Sequence, residues 1–275
     1  MKIRTTVTHI MSDGYRMKLL ILRPEDARPG DRRPGILWIH GGGYFSGMPE
    51  MVYFTRAKAL VEKFGAVIVA PGYRLSGAAP YPAALHDCHR ALLFLQRNVH
   101  QLGVRSDQIM VGGESAGGGL TAALCMYEKD LGLVNIAYQM PLYPMIDNED
   151  TVSSRNNHAP GWNTKKNRNG WKLYLSGLRG QGVPAYAAPA RRETDFRGLP
   201  PAYTFVGTAE PFYAETVIFI DRLKAAGIPA AIDIYPGMYH AFDVMLPFSQ
   251  DSKTAIARFE RHFAYAAEHF FAPQP

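Results

Sequence analysis

The sequence predicts an α/β protein in which a mostly parallel central sheet is flanked by helices on both faces. Three observations predict it. From Pro34 onward, apolar runs of strand length alternate with longer amphipathic stretches, the pattern of successive βα units. Ahead of them, two strand-like segments meet at Asp13-Gly14, a hairpin signal. One strand-to-strand connection is far longer than the rest, and its scattered Asn, Gly and Pro mark it as an insertion.

In chain order, the hairpin strands are expected at 3–10 and 15–23. The parallel series follows at 36–39, 66–70, 109–111, 137–140, 203–206 and 231–234. Helices are expected at 53–64, 83–99, 116–129, 213–226 and 252–271. In the last, Ile256, Phe259, Phe263, Ala266 and Phe270 recur at three- and four-residue spacing, so its aromatics are core packing. The insertion is expected to form a cap over about 147–197. At 275 residues and 47% hydrophobic content the chain suits a single α/β domain carrying that cap.

Composition narrows the function classes. The first residues lack the apolar core of a signal peptide, and no stretch approaches the roughly 18 apolar residues of a membrane span. A cytoplasmic location is therefore expected. Cys88 and Cys125 sit in expected helices and read as buried free thiols, without a disulfide or a zinc pattern. The net charge of +6 is local: Arg155, Lys165, Lys166, Arg168, Lys172, Arg179, Arg191 and Arg192 fall in a window without Asp or Glu, leaving the rest at −2. No nucleic-acid motif accompanies them, so no nucleic-acid partner is expected. His86 and His89 are three apart on a helix, but without a further ligand cluster they predict no metal.

Gly113-Glu114-Ser115-Ala116-Gly117 matches G-x-S-x-G between the expected strand at 109–111 and the helix that begins at Ala116. A serine on so tight a strand-to-helix turn is held in a strained conformation that lifts Oγ clear of the sheet. Small residues two before and two after let the neighbouring backbones pass. In isolation the pattern arises by chance about once in ten chains of this length, so its context decides.

That context begins with His40-Gly41-Gly42-Gly43-Tyr44, directly after the strand at 36–39. Glycines there let backbone N–H groups approach a substrate carbonyl. Gly42, Gly43 and Ala116 are the expected oxyanion donors, each worth roughly 3 to 4 kcal/mol in comparable sites. A nucleotide loop is excluded: Ser46 stands where a dinucleotide fingerprint needs its third glycine, and no Lys-Ser/Thr pair follows. Where a serine occupies such a turn, an acid and then a histidine follow in sequence. His262 and His269 fall on the last helix, whereas His240 lies in a loop after the last strand and is the expected base. Glu210 lies just past the strand at 203–206 and is the expected acid, ahead of Glu215, which reads as a solvated helix face.

With these motifs in place, the chain resembles the hormone-sensitive-lipase-like group of α/β hydrolases, which contains bacterial acetyl esterases and short-chain carboxylesterases. The resemblance runs from about Pro34 to the end. It rests on His40 to Gly43, Tyr73-Arg74-Leu75, Tyr81 to Leu85 followed by Asp87, Gly113 to Gly118, Leu199 to Ala202 and Tyr239 to Phe242. It implies the α/β-hydrolase fold, no cofactor, a small-molecule ester substrate and an acyl-enzyme on Ser115. It also implies that Tyr73, Arg74 and Asp87 brace the glycine loop, where ordinary surface ion pairing is the alternative. Two departures stand out. Glu210-Pro211 replaces the group's common Asp-Pro, and the N-terminal helical extension of many members is missing, which implies a more open pocket.

Two other functions use the same features: cleavage of an aryl-formamide or other activated amide by the same three residues, and ligand binding without catalysis on a hydrolase fold. A homodimer is left open. In the insertion, Trp162, Trp171, Tyr174 and Tyr186 with the neighbouring bases could receive a sugar or an anionic alcohol. The alternative is a solvated basic face whose aromatics pack the cap onto the core.

Overall fold

The period-two alternation of apolar side chains decides what each face of the sheet packs against. In the computed structural model, which describes residues 1–275 except Thr194, that alternation separates two cores. Leu37 and Ile39 of strand β3 (Arg33–Ile39) face one core, while Ile36 and Trp38 face the other. The sheet has eight strands. A hairpin of β1 (Ile3–Ser12) and β2 (Tyr15–Pro24) turns at Asp13 and Gly14, both at positive φ (45° and 80°), as a two-residue Asp-Gly turn requires. The others are β4 (Val67–Pro71), β5 (Val104–Glu114), β6 (Tyr138–Leu142), β7 (Ala202–Gly207) and β8 (Ala230–Tyr235). Their order is β1-β2-β4-β3-β5-β6-β7-β8; the pairings of β2 are antiparallel and all others parallel.

The helices are α1 (Arg56–Phe64), α2 (Ala83–Arg97), α3 (Val99–Leu102), α4 (Ala116–Leu131), α5 (Thr164–Tyr174), α6 (Tyr213–Ala225), α7 (Phe242–Met245) and α8 (Gln250–His269). Apolar residues of α2, α4 and α6 cover one face of the sheet; those of α1 and α8 cover the other. Phe64 on α1 meets Phe263 on α8 edge to face at 5.1 Å. The α/β class, the hairpin, the parallel series and the flanking helices are as the sequence predicts.

Among the differences from expectation, three have local reasons. The helix expected at 53–64 is a 3-10 turn at Pro49–Tyr53 followed by α1, because Thr55 is extended and starts the helix afresh. The helix expected at 83–99 stops at Arg97, because the Asn98 amide donates to the Phe94 carbonyl at 2.8 Å and a separate turn follows. Within 147–197 a helix, α5, forms despite Asn167 and Gly170, with the Asn163 side chain capping its start through the Lys166 N–H.

Parallel sheets of this kind place ligands beyond the carboxyl ends of their strands. The loops after β3, β5, β7 and β8 carry the glycine loop, Ser115, Glu210 and His240. A hollow of about 620 Å³ lined by Tyr138, Ala202, Tyr265 and Phe270 lies at the opposite, starting ends of β6 and β7. No helix among the described residues is long and apolar enough to cross a membrane. Cys88 and Cys125 are buried and free, and burial pushes both thiols up.

Glu114 ends β5 with its carboxylate buried in the α1–α8 side, where the Trp38 indole N–H donates to both oxygens (3.0 and 3.1 Å). Burial, with Asp243 adding repulsion and Arg56 opposing it, pushes this carboxyl up to about 7 from 4.5. A carboxyl raised in the fold is stabilising to bury only while protonated. Stability is therefore complete below about pH 4.5, falls as pH rises to about 7, and is then lower by about 3 kcal/mol. Glu114→Gln should unfold at higher urea than the natural chain at pH 8, with a clearly smaller gain at pH 5. An equal gain at both values would contradict this reading of Glu114.

Candidate active site

The site begins with a backbone constraint. Ser115 sits at φ 58° and ψ −119°, a strained region for any side chain other than glycine. A Cβ on Gly113 would lie 2.4 Å from the Ile39 carbonyl oxygen, and one on Gly117 would lie 2.1 Å from the same atom. Only glycine at both positions lets the turn pass this close to the end of β3. The Ser115 N–H donates to the Leu142 carbonyl (3.0 Å), and its own carbonyl accepts from Gly119 and Met145 (2.9 and 3.0 Å). The strained residue is thus held from both sides.

Ser115 Oγ lies 2.9 Å from His240 Nε2, and His240 Nδ1 lies 2.5 Å from Glu210 Oε2. A carboxylate only accepts, so Nδ1 carries the imidazole proton and Nε2 is free to accept from the serine hydroxyl. The second oxygen of Glu210 accepts the Gly207 N–H at 3.1 Å. Glu210 is fully buried, while Ser115 and His240 are each 7% exposed. Burial pushes the Glu210 carboxyl up, against the opposing pull of His240 and the Gly207 N–H. Phe212 and Tyr143 meet the imidazole edge to face at 5.0 and 5.1 Å, fixing its plane.

The glycine loop lies directly against the serine, since a Cβ on Gly41 would fall 3.3 Å from Ser115 Cβ. Gly42 and Gly43 are at φ 119° and 60°. The Gly42 carbonyl is occupied by Phe45 and Ser46, whereas the N–H groups of Gly42, Gly43 and Ala116 have no acceptor among the described residues. Behind the loop, the His40 ring stacks on Tyr73 at 4.2 Å, and the Tyr73 hydroxyl donates to the His40 carbonyl at 2.9 Å. Burial brings His40 down to about 4, so its ring is neutral near pH 7. Arg74 pairs with Asp87 through two guanidinium nitrogens. Asp87 is fully buried, which makes this pair internal rather than a surface pair.

The insertion meets the site at two places. Its first residues clamp the acid loop: Asn157 donates to the Ala209 carbonyl (2.9 Å) and Ser153 to the Pro211 carbonyl (2.7 Å). Glu215 is buried and accepts the N–H groups of Ile146 and Asp147 at 2.7 and 3.1 Å. It therefore secures the start of the insertion, and the expectation of a solvated helix face is wrong. Among the described residues, three of the eight bases form ion pairs: Arg168 with Asp150, Arg191 with Asp147 and Glu149, and Arg192 with Asp130. Trp171 and Tyr174 are buried against Tyr44, and Tyr186 donates to Asp130. Trp162, of the four aromatics, faces the site. The sequence marks it as aromatic but carries no signal that separates it from the other three.

Among the described residues no group of three or more His, Cys, Asp or Glu is placed to hold a metal. His86 pairs with Asp13 and His89 with Glu128.

Comparison with known proteins bears on the same region. A family model described as alpha/beta hydrolase fold matches residues 36–244. Carboxylesterase NlhH of Mycobacterium tuberculosis is 31% identical over 220 residues, covering 77% of this chain and 67% of that protein. Esterase LipI of the same organism is 29% identical over 211 residues, covering 76% and 65%. The chain thus spans about two thirds of the length of these relatives. Among solved structures, a bacterial heroin esterase superposes with a TM-score of 0.88 at 29% identity, over 96% of this chain and 84% of its own. The family match runs from β3 to the helical turn beyond His240, the stretch that builds the site, and the chain belongs to the α/β-hydrolase family.

Proposed function

We propose that this chain is a serine carboxylesterase that hydrolyses short-chain esters through an acyl-enzyme. The observation that carries the proposal is the continuous relay from Ser115 Oγ to His240 Nε2 (2.9 Å) and from Nδ1 to a fully buried Glu210 (2.5 Å), beside three backbone N–H groups without an acceptor among the described residues. The esterase names of the relatives point the same way.

In this reading His240 Nε2 takes the proton of Ser115 as Oγ attacks the ester carbonyl carbon. The oxyanion is received by the N–H groups of Gly42, Gly43 and Ala116. They are already oriented by the loop and the start of α4, so little reorganisation is needed when charge develops. The imidazolium, held by Glu210, protonates the departing alcohol. Water then enters, gives its proton to His240 and attacks the acyl-enzyme, and Ser115 recovers its proton as the acid leaves. The segment 147–197 acts as a cap whose first turn holds the Glu210 loop in place and whose Trp162 roofs the centre.

The purified protein should release p-nitrophenol from p-nitrophenyl acetate, and Ser115→Ala should reduce kcat by roughly 10⁴-fold or more. Steady-state rates check this. Retained activity in the alanine variant would remove Ser115 from the mechanism, and turnover of N-formylkynurenine well above simple acetates would move the assignment to an amidase.

The two buried glutamates near the site separate by function. Glu210→Gln can present an amide N–H to His240 and so favour the wrong tautomer, and should lower kcat by roughly 10³- to 10⁴-fold. Glu215→Gln keeps an acceptor for Ile146 and Asp147 and should stay within about tenfold of the natural enzyme. Similar losses in the two variants, measured by kcat at matched folding, would contradict Glu210 as the acid.

A further inference from the structure

We infer that Trp162 limits the length of the acyl chain this site accepts, an inference that rests on reading Ser115 as an esterase nucleophile. The indole lies across the glycine loop. A Cβ built on Gly43 would fall 2.2 Å from Trp162 Cη2 and 3.0 Å from Cζ2, so the ring edge is in contact with the Gly43 backbone. The same ring stacks with Phe45 (6.1 Å between centroids) and tilts against Phe212 (6.4 Å) and His240 (6.2 Å). Helix α5 closes in behind it at Gly170, where a Cβ would meet the Gly43 carbonyl at 3.1 Å and Cζ2 at 3.5 Å. One side chain therefore spans the space between the loop N–H groups, which have no acceptor among the described residues, and the imidazole, beside Ser115 and His240, each only 7% exposed.

An ester carbon attacked by Ser115 carries two substituents besides its carbonyl oxygen. The alcohol oxygen must come within reach of His240 Nε2, which protonates it, while the carbonyl oxygen turns to the N–H groups of Gly42, Gly43 and Ala116. The acyl chain then leaves on the side away from Nε2, along the glycine loop, toward the Cη2 edge of Trp162. A one-carbon chain ends before that edge. Each added methylene has to push the indole off Phe45 and Gly43. Single methylenes in a walled apolar pocket discriminate by about 10- to 200-fold when they do not fit.

The wall is fixed by packing rather than by a polar bond. The Trp162 indole N–H is buried and has no acceptor among the described residues. The backbone on either side is fastened, by Lys166 to the Gly161 carbonyl (2.6 Å) and by Thr164 to the Asn157 carbonyl (3.1 Å). Shortening this one side chain therefore opens the space without cutting a hydrogen bond of the segment.

The test measures kcat/KM for p-nitrophenyl acetate, butyrate and octanoate in the natural chain, Trp162→Phe and Trp162→Ala, beside acetates of increasingly long alcohols. The natural chain should prefer acetate to octanoate by at least tenfold. Trp162→Ala should raise the octanoate-to-acetate ratio at least tenfold, and Trp162→Phe, which keeps a ring but loses the Cη2 edge, at least threefold. If the alanine variant does not fold, the phenylalanine variant decides alone. A ratio unchanged within twofold, or a gain confined to long alcohols, overturns the inference while leaving the esterase reading intact. A natural chain that neither hydrolyses these esters nor takes a fluorophosphonate label at Ser115 overturns that reading and this inference with it.

Discussion

The candidate site depends on one close approach, that of the turn around Ser115 to the end of β3. With Gly113 and Gly117 both within a Cβ's width of the Ile39 carbonyl, the start of α4 and the glycine loop after β3 form one rigid block. The strained conformation of Ser115 is a consequence, because a relaxed turn would swing α4 away from β3. So is the position of the proposed oxyanion donors, which come from the two chain segments that this contact joins. A substituent at either glycine would separate the serine from the loop proposed to receive its oxyanion.

Around that block several polar groups are tied to partners in distant segments. Tyr73 holds the His40 carbonyl, Arg74 is locked to buried Asp87, and Glu215 receives the two N–H groups at the start of the long β6–β7 segment. Each would cost about 1 to 3 kcal/mol if its partner were removed and the group stayed buried. The N–H groups of Gly42, Gly43 and Ala116, by contrast, have no acceptor among the described residues. In the proposed mechanism, open donors in a braced setting are a reserve of stabilisation for a charge that appears only during reaction. Glu210 is raised by its burial yet faces a proton donor on each oxygen, one from His240 and one from Gly207.

Much of this was legible in the sequence because chemistry and chain order constrain each other. Ser115 stands out through the glycines around it, His240 because it lies in a loop after the last strand rather than on α8, and Glu210 because it directly follows β7. The strands were legible because buried apolar runs are continuous there. What was not legible depends on contacts between distant segments. Glu215 reads as surface because nothing local reveals that the backbone at Ile146 and Asp147 needs an acceptor. The basic window reads as a charged face because the acids that pair with Arg168, Arg191 and Arg192 lie just outside it or on α4. Trp162 looks like any cap aromatic until the fold sets its edge on Gly43. The helix break at Asn98 turns on one side-chain amide, which propensity alone does not resolve.

The proposed function requires that His240 make Ser115 nucleophilic, and covalent labelling tests that most directly. A fluorophosphonate probe followed by peptide mass spectrometry should place the adduct on the peptide carrying Ser115, with labelling slowed at least about a hundredfold in His240→Ala. An adduct on another serine, or a His240→Ala variant labelled as fast as the natural chain, would contradict it.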